Sequence, residues 1–332
     1  MSWYQELPKI ELHVHLEGAI PHNALFELVQ KYGGDPSVPD VRSLSKRFEY
    51  KTFAQFIEAW SWKNKFLREY EDFAYIAELT ARDMASQNIR YAEMFFSPSE
   101  FYRHGLEIQE ITCAVRRGLS KIPTIEISLI ADLVRDYGPE HELITLNKLN
   151  EVINEGVIGI GIGGSEQAFP PGPFESLFKE ARHMGFRINA HAGEAAGPES
   201  VWSAIRSLHP DRIGHGTRAH EDPRLIDYLK EYRIAIEACP ISNLRTGIVH
   251  SLENHPIREY FDRGLLVSVN TDDPMMFGTA LDKEYESLVE HCRFTKKDIC
   301  QLILLGIKSS WMSEVRKEQL AAEFIRDPSW ID

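Results

Sequence analysis

Two histidines, His13 and His15, stand one residue apart in the short apolar run KIELHVHLEGAI. Residues two apart in a β-strand project to the same side, so this spacing predicts that both imidazoles face one interior. Two buried imidazoles are unfavourable without polar partners. A lone buried histidine is more often a hydrogen-bonded core residue, but a pair with further ligands nearby favours a metal site.

Further histidines and carboxylates occur where other short apolar runs end. They come from the segments HAGE, GHG and NTDDP, and they are His191, Glu194, His215, Asp272 and Asp273. If these ends converge, a metal could be bound by His13, His15, His191 and Asp272. A nitrogen and oxygen ligand set without thiolate suits one Zn²⁺ per chain, and suits Fe²⁺, Co²⁺ or Mn²⁺ less well. An open position for water would make the site catalytic.

The remaining polar residues at these ends are candidates for acid–base chemistry. His215 could accept the proton of a metal-bound water and orient the hydroxide. Glu194 could deliver a proton to a substrate nitrogen if a closed site raises its pKa. Strand alternation points Asp273 away from Asp272, so one would bind metal and the other substrate. Two alternatives stay open: Glu194 as a charge in the first turn of a helix, and Asp273 as a turn residue.

These residues require elements that bring the ends of separate runs together. Short β-rich runs alternate with longer amphipathic segments, which is typical of a parallel sheet. The predicted strands cover residues 10–16, 89–96, 125–133, 157–163, 187–192, 212–216, 234–238 and 265–270. The predicted helices include residues 70–87, 108–120, 174–184, 198–207 and 223–231. Eight such units predict a (β/α)8 TIM barrel as one domain over residues 1–332, with a doubly wound open sheet as the alternative.

The longest interval between predicted strands covers residues 17–88 and contains additional helical patterns, including one over residues 53–66. An insertion after strand 1 would lie over the C-terminal mouth of the barrel, where such enzymes have their active sites. We therefore expect part of this insertion to form the rim of the site.

Composition restricts the class of protein. The chain has 332 residues, of which 43% are hydrophobic, and a formal net charge of −13, which argues against a nucleic-acid or anionic-membrane partner. No apolar run approaches the ~18 residues of a membrane span, and the N-terminus lacks a secretory pattern. The four cysteines form no CxxC pair and predict reduced thiols. We expect a cytoplasmic protein with a small-molecule partner; the oligomeric state is not predicted.

Five motifs together resemble the adenosine deaminase family of the amidohydrolase superfamily. They are HVHLEGA, HAGE, GHG, CPISN and NTDDP, and they occur in the family's order between residue 8 and about residue 285. The HxE and PCxxC signature of the cytidine-type zinc deaminases is missing. The resemblance implies a zinc-dependent barrel that hydrolyses the exocyclic amine of a 6-aminopurine and releases ammonia.

The resemblance also implies a role for each matching residue. The zinc ligands would be His13, His15, His191 and Asp272. Glu194 would protonate purine N1, and His215 would position and deprotonate the metal water. Asp273 would hydrogen-bond N7, and the backbone N–H of Gly164 would meet N3. We also expect His15 and Glu17 beside the substrate.

Two departures from the family pattern concern the sugar side of the substrate. Adenosine deaminases usually carry Asp where this chain has Glu17, and often Asp where it has Ser165. We therefore expect adenosine or a 5′-modified analogue as substrate, with 6-aminodeoxyfutalosine or free adenine as alternatives. Gly164 favours a nucleoside. Amide or phosphoester hydrolysis, or a non-catalytic barrel, would be distinguished by ammonia release and zinc content.

Overall fold

The structure is a computed structural model that describes residues 2–50 and 52–331. In this part of the chain, eight parallel strands pair with their neighbours in chain order. They are β1 Lys9–His15, β2 Ile89–Phe96, β3 Glu126–Val134, β4 Val157–Gly163, β5 Arg187–Ala192, β6 Arg212–His215, β7 Ala235–Ala238 and β8 Val267–Val269. Every strand begins and ends within two residues of its prediction. The predicted (β/α)8 barrel is confirmed, and the open sheet is not.

The barrel closes between the segment after β8 and β1. The backbone N–H of Asp272 donates to His13 O at 3.0 Å, and the N–H of His15 donates to Asp272 O at 2.8 Å. Nearer the start of β1, the N–H of Leu12 donates to the side-chain oxygen of Asn270 at 2.8 Å. The closing seam is therefore made by the same residues that the sequence predicts as metal ligands.

Helices surround the barrel. In chain order they are α1 Trp3–Glu6, α2 His22–Lys31, α3 Val41–Arg47, α4 Phe53–Asn64, α5 Tyr70–Ser86, α6 Pro98–Tyr102, α7 Ile108–Leu119, α8 Pro139–Glu151, α9 Glu175–His183, α10 Pro198–Leu208, α11 Pro223–Glu231, α12 Pro240–Arg245, α13 Ile257–Asp262, α14 Pro274–Phe277, α15 Leu281–His291, α16 Lys296–Ser309 and α17 Glu314–Ile325. Short 3₁₀ turns cover Glu17–Ala19, Arg135–Tyr137, Ile153–Glu155, Gly172–Phe174, Thr217–Glu221 and Leu252–Asn254. The five predicted crossover helices correspond to α5, α7, α9, α10 and α11, with ends that differ by at most one residue.

The insertion between β1 and β2 supplies α2, α3 and α4 ahead of α5. Helix α4 lies at the mouth of the barrel, because Trp60 lines the cavity there. Its Phe56 ring stacks on Phe277 of α14 with centroids 5.3 Å apart. The Tyr50 hydroxyl, from the loop before α4, donates to Met276 O at 2.8 Å. These contacts attach the insertion to the segment that follows β8, and they hold it over the mouth of the barrel, where the sequence predicts it.

A charged cluster is buried inside the barrel, toward the amino-terminal ends of the strands. Arg212, which is 1% exposed, lies 2.5 Å from Glu93 and 2.5 Å from Glu237. The Trp311 ring covers the guanidinium at 3.7 Å. We call Glu93, Arg212 and Glu237 the Arg212 cluster. Nothing in the sequence analysis predicts it.

Among the described residues, no helix is at once long enough and apolar enough to cross a membrane.

Candidate active site

A cavity of about 260 Å³ opens at the carboxyl ends of the strands. Its wall includes His15, His191, His215, Asp272 and Asp273. Helix α4 and the loops after β3 and β4 complete the wall. The polar strand ends that the sequence identifies therefore meet in one place.

Four predicted metal-ligand atoms converge beside this cavity. The Nε2 atoms of His15 and His191 are 3.3 Å apart. The Oδ1 atom of Asp272 lies 3.4 Å from His15 Nε2 and 3.5 Å from His13 Nε2. Ligands bonded at about 2.0–2.2 Å to one tetrahedral ion are separated by roughly 3.4 Å. The four atoms therefore fit the ligand shell of a single metal ion, and we call their residues the metal-ligand cluster.

The ring nitrogens of the three imidazoles are also oriented to bind a cation. His13 Nδ1 lies 2.7 Å from a carboxylate oxygen of Glu237, so its Nε2 faces the centre, where it has no hydrogen-bond partner. His191 Nδ1–H donates to Ile162 O at 3.2 Å. Burial lowers the pKa of His15 to about 3 and that of His191 well below its usual value, so these two rings are neutral. Against the effect of burial, the carboxylates of Asp272 and Glu237 raise the pKa of His13 to about 10. A metal ion would bind His15 and His191 through their lone pairs and would take the place of the proton on His13 Nε2.

The backbone at Asp272 leaves the strand conformation. Its φ is +65°, a left-handed value that is unusual for a non-glycine residue and often marks a functional site. Ser242 Oγ donates to Asp272 Oδ2 at 2.6 Å, which leaves Oδ1 facing the histidines. Because β8 ends at Val269, strand alternation does not extend to this segment. The prediction that Asp273 points away from Asp272 is wrong, since both side chains line the cavity.

Asp273 is 2% exposed, and its Oδ1 has no hydrogen-bond partner. Burial, reinforced by the charge of Asp272, raises the pKa of Asp273 well above its usual value. The side chain does not cap α14, so the turn-residue alternative does not account for it. A Cβ on Gly18 would lie 1.7 Å from Asp273 Oδ1. Only glycine at position 18 leaves room for this carboxyl group.

Glu194 is 8% exposed and belongs to the loop between β5 and α10. Because α10 begins at Pro198, Glu194 is not a first-turn charge of a helix, and that alternative is wrong. The carboxylate of Glu166 holds the loop by accepting the N–H groups of Gly193, Glu194 and Ala196 at 2.6, 3.1 and 2.9 Å. Burial, with the charges of Asp272 and Glu166, raises the pKa of Glu194 well above its usual value. A buried carboxyl group of this kind can hold a proton beside the cavity and donate it.

His215 lies beside Glu194 on the cavity wall. Its Nε2 lies 3.7 Å from Glu194 Oε2 and 4.0 Å from Asp272 Oδ2. Its φ is +61°, the second left-handed non-glycine residue of the site. Burial lowers the pKa of its ring to about 4. His215 therefore faces the space beside the metal-ligand cluster as a neutral imidazole.

Gly164 lines the opposite wall with a φ of +96°. A Cβ at this position would lie 2.3 Å from Asp136 Oδ2, so a larger residue would displace that carboxylate. Ser165 donates to Asp136 through its N–H at 2.8 Å and through its Oγ at 2.5 Å. A serine at position 165 donates hydrogen bonds to the carboxylate of Asp136, whereas a second carboxylate would repel it.

Glu17 lies outside the cavity wall, unlike the other predicted substrate-side residues. It is 1% exposed, and its Oε1 accepts the N–H of Ser97 at 2.9 Å. Burial raises its pKa to about 7, against the nearby charge of Lys63. Ser97 lines the cavity, so Glu17 is one residue removed from it.

Several residues of the site are missing from the sequence analysis. They are Asp132, Glu166, Glu237, Ser242 and Asn243. Two signals could have identified some of them, because Glu166 ends the GGSE segment and Ser242 and Asn243 end CPISN. Cys239 lies near His13 and His215. Burial raises the pKa of its thiol well above the usual value, and its Sγ donates to Glu237 O at 3.7 Å.

The family model described as adenosine deaminase matches residues 8–327. The chain belongs to the adenosine deaminase family. The relatives described below are deaminases, and this enzyme is a hydrolytic deaminase. Deaminases of the amidohydrolase type depend on a metal, and the histidine-rich cluster is where this chain could hold one.

Relatives with three different substrates are similarly close. An aminodeoxyfutalosine deaminase of Streptomyces avermitilis is 34% identical over 97% of this chain and 91% of its own length. An adenine deaminase of Wolinella succinogenes is 34% identical over 94% and 95%. An adenosine deaminase of Yersinia pseudotuberculosis is 35% identical over 95% and 96%. Identity alone therefore does not select the substrate within this deaminase family.

Solved structures of deaminases share the fold. An adenine deaminase from Arthrobacter aurescens superposes with a TM-score of 0.91 at 30% identity, covering 96% of this chain and 98% of that one. An amidohydrolase from Burkholderia ambifaria with bound Zn has a TM-score of 0.90 at 27% identity, covering 97% and 90%. The adenosine deaminase family thus accounts for nearly the whole chain.

Proposed function

We propose that the enzyme hydrolyses the exocyclic amine of a 6-aminopurine nucleoside, adenosine or a 5′-modified analogue, with one Zn²⁺ per chain. Water replaces the amine at C6, which gives the 6-oxo purine and ammonia. One observation carries the proposal: four metal-ligand atoms and a buried, proton-holding Glu194 face the same cavity. The expected partner is a small purine, with no nucleic acid or membrane.

The metal would be held by His13, His15, His191 and Asp272. A bound Zn²⁺ lowers the pKa of a coordinated water and so supplies hydroxide near neutral pH. The chain's own contribution is to orient the ligands. Glu237 does this for His13, and Ser242 does it for Asp272.

Three donors match the three acceptor nitrogens of a purine. Glu194 retains its proton because of burial, and we assign it to N1, where protonation makes C6 more electrophilic. Asp273 also retains its proton, so it can donate to N7. The backbone N–H of Gly164 is assigned to N3. Glu194 and Asp273 suit this task only in their protonated form, because an ionised carboxylate cannot donate a hydrogen bond.

The assignment of a nucleoside as substrate depends on polar cavity residues to which no catalytic role is assigned. Ser61, Ser97, Glu100, Asp136 and Ser165 all line the cavity. Hydroxyl and carboxylate groups of this kind hydrogen-bond the hydroxyls of a sugar, which a free base lacks. Their presence supports a nucleoside.

Free adenine is the second candidate, because of Glu17. The resemblance expects position 17 to contact the ribose 5′-hydroxyl, but the Glu17 carboxylate is buried behind Ser97. A third candidate, 6-aminodeoxyfutalosine, is supported by the Streptomyces avermitilis relative.

Ammonia release by the zinc-loaded enzyme decides among these substrates. We would compare kcat/KM for adenosine, 5′-deoxyadenosine, 6-aminodeoxyfutalosine and adenine, with Glu194→Gln enzyme prepared in parallel to reveal contaminating activity. We expect one nucleoside to lead adenine by more than tenfold, about 1.4 kcal/mol of transition-state discrimination. A lead for adenine would contradict the nucleoside assignment and favour the second candidate.

A further inference from the structure

A row of hydrogen bonds connects the start of α13 with His215. It begins at the backbone N–H of Ile257, which donates to His255 Nδ1 at 3.2 Å. A ring nitrogen that accepts a hydrogen bond carries no proton. Burial lowers the pKa of His255 to about 3, so its ring is neutral. The single ring proton of His255 is therefore on Nε2.

The next step fixes the orientation of the Asn243 amide. His255 Nε2–H donates to Asn243 Oδ1 at 3.1 Å, and Thr217 Oγ1 donates to the same oxygen at 2.6 Å. Two donors require an oxygen at this position, so the amide cannot be turned around. The Nδ2 group of Asn243 must point the other way.

That Nδ2 group faces His215 Nδ1 at 3.2 Å. An amide nitrogen can only donate, so His215 Nδ1 accepts and bears no proton. An imidazole ring that has no proton on Nδ1 carries its one proton on Nε2, which here is the atom that faces Glu194 and Asp272. Both Asn243 and His255 are buried, so water does not compete for these bonds.

We propose that Asn243 is a positioning residue that fixes His215 as its Nε2–H tautomer, so that His215 donates a hydrogen bond to the attacking oxygen instead of accepting its proton. This inference rests on the proposed deaminase reaction. It retains the orienting role that the sequence analysis predicts for His215 and replaces the proton-accepting one, because an Nε2 that already carries a proton has no lone pair to accept another.

The tautomer can be observed directly in the zinc-loaded enzyme. The protein would be labelled with ¹⁵N-histidine, and two-bond ¹H–¹⁵N correlation spectra would be recorded at neutral pH. The signals of His215 are those that disappear in His215→Gln. We expect a protonated Nε2 and an unprotonated Nδ1. A His215 ring with a proton on Nδ1 would overturn the proposal.

Asn243→Asp tests whether Asn243 sets the tautomer. Aspartate has the same shape and still accepts from Thr217 and His255, but it cannot donate to His215. We expect His215 Nδ1 to gain a proton and kcat to fall about 10²-fold, with KM and zinc content little changed. If Nδ1 stays unprotonated in this variant, Asn243 does not set the tautomer.

Thr217→Val is the matched control, because it removes one donor to Asn243 Oδ1 and leaves the other. The Nε2–H tautomer should persist in this variant. If Asn243→Asp fails to fold, the wild-type spectrum still decides. The spectrum does not depend on turnover, so failure of the deaminase assignment is recognised separately by the substrate panel.

Discussion

The barrel buries two charged clusters that differ in how their charges are compensated. In the Arg212 cluster, one guanidinium lies between two carboxylates at 2.5 Å from each, and every member is at most 1% exposed. In the metal-ligand cluster, His13 Nε2 lies 3.5 Å from Asp272 Oδ1, and the neighbouring Asp273 Oδ1 has no hydrogen-bond partner and no cation beside it. The first cluster joins opposite charges at contact distance, whereas the second holds its ligand atoms apart at the separation that a bound metal ion requires.

This difference separates structural from functional burial of charge. Buried charges need partners, and a fold that supplies all of them has built a structural pair. A fold that leaves several unpaired on one cavity has built a binding site. Glu237 belongs to both groups, because it contacts Arg212 and also holds His13.

The largest expected effect is the loss of turnover when a residue of the cavity, Glu194, is changed. Glu194→Gln removes the proton donor but keeps the shape, so we expect kcat to fall by ~10²–10⁴. The melting temperature and zinc content should stay unchanged. Steady-state kinetics with the best substrate of the panel measure the effect, with exposed Glu199→Gln as the control. Wild-type turnover in Glu194→Gln would show that another group protonates the purine.

Arg212→Met should affect stability and not the cavity directly. It leaves two buried carboxylates without their cation, and we expect the free energy of unfolding to fall by about 3–5 kcal/mol. Urea denaturation of the metal-free protein measures this. Arg82→Met breaks an exposed i,i+4 pair with Glu78 and should change stability by less than about 1 kcal/mol. Equal effects in the two variants would argue against a structural role for the Arg212 cluster.

Glu237→Gln tests the connection between the two clusters. The variant weakens the hold on His13 Nδ1–H, and we expect zinc affinity to decrease about 10–100-fold. Competition with a chromophoric chelator measures it. Glu93→Gln is the control, because Glu93 contacts Arg212 without contacting a metal ligand. The connection is absent if both variants bind zinc equally well.

A buried carboxylate outside both clusters gives the smallest effect. Glu142 is 0% exposed, its Oε1 accepts Val134 N–H at 3.1 Å, and burial raises its pKa from 4.5 to about 7. The folded state therefore binds this proton more tightly than the unfolded state. This contribution to stability is present below pH 4.5, declines as the pH rises to about 7, and is lost above it.

Glu142→Gln removes this dependence. The difference in unfolding free energy between the variant and the wild type should shift in favour of the variant by about 2 kcal/mol between pH 4 and pH 6. Urea denaturation at both pH values measures it, and other titrating groups cancel in the difference. A constant difference would show that Glu142 ionises normally.

The sequence predicts the barrel and its metal-ligand cluster because both depend on local patterns. Each strand is a short apolar run, and each ligand follows or ends one, as HVH and HAGE show. The direction of Asp273 is not predictable in this way, since it depends on the left-handed backbone of Asp272. Strand alternation applies only while a strand continues.

Partners that are distant in the chain are also beyond sequence patterns. Asn243 and His215 are 28 positions apart, and Trp311 N and Glu93 are 218 apart. Isolated histidines such as His255 are usually surface or structural residues, so the pattern gives no reason to place it behind the site. Only the folded arrangement shows that the Ile257 N–H determines where protons lie on two imidazoles.

The closing seam determines when the site can exist during synthesis. Leu12 and Asn270 are 258 positions apart, yet they meet across the seam that carries His13, His15 and Asp272. At about 5–20 residues per second, a ribosome needs roughly 13–50 s to travel between them. After β2 has been synthesised, β1 can pair with it on one side, but its opposite edge stays unpaired and its two histidines have no Asp272 until the interval ends. The nascent chain therefore cannot complete its metal site, or begin catalysis, until its eighth strand has emerged.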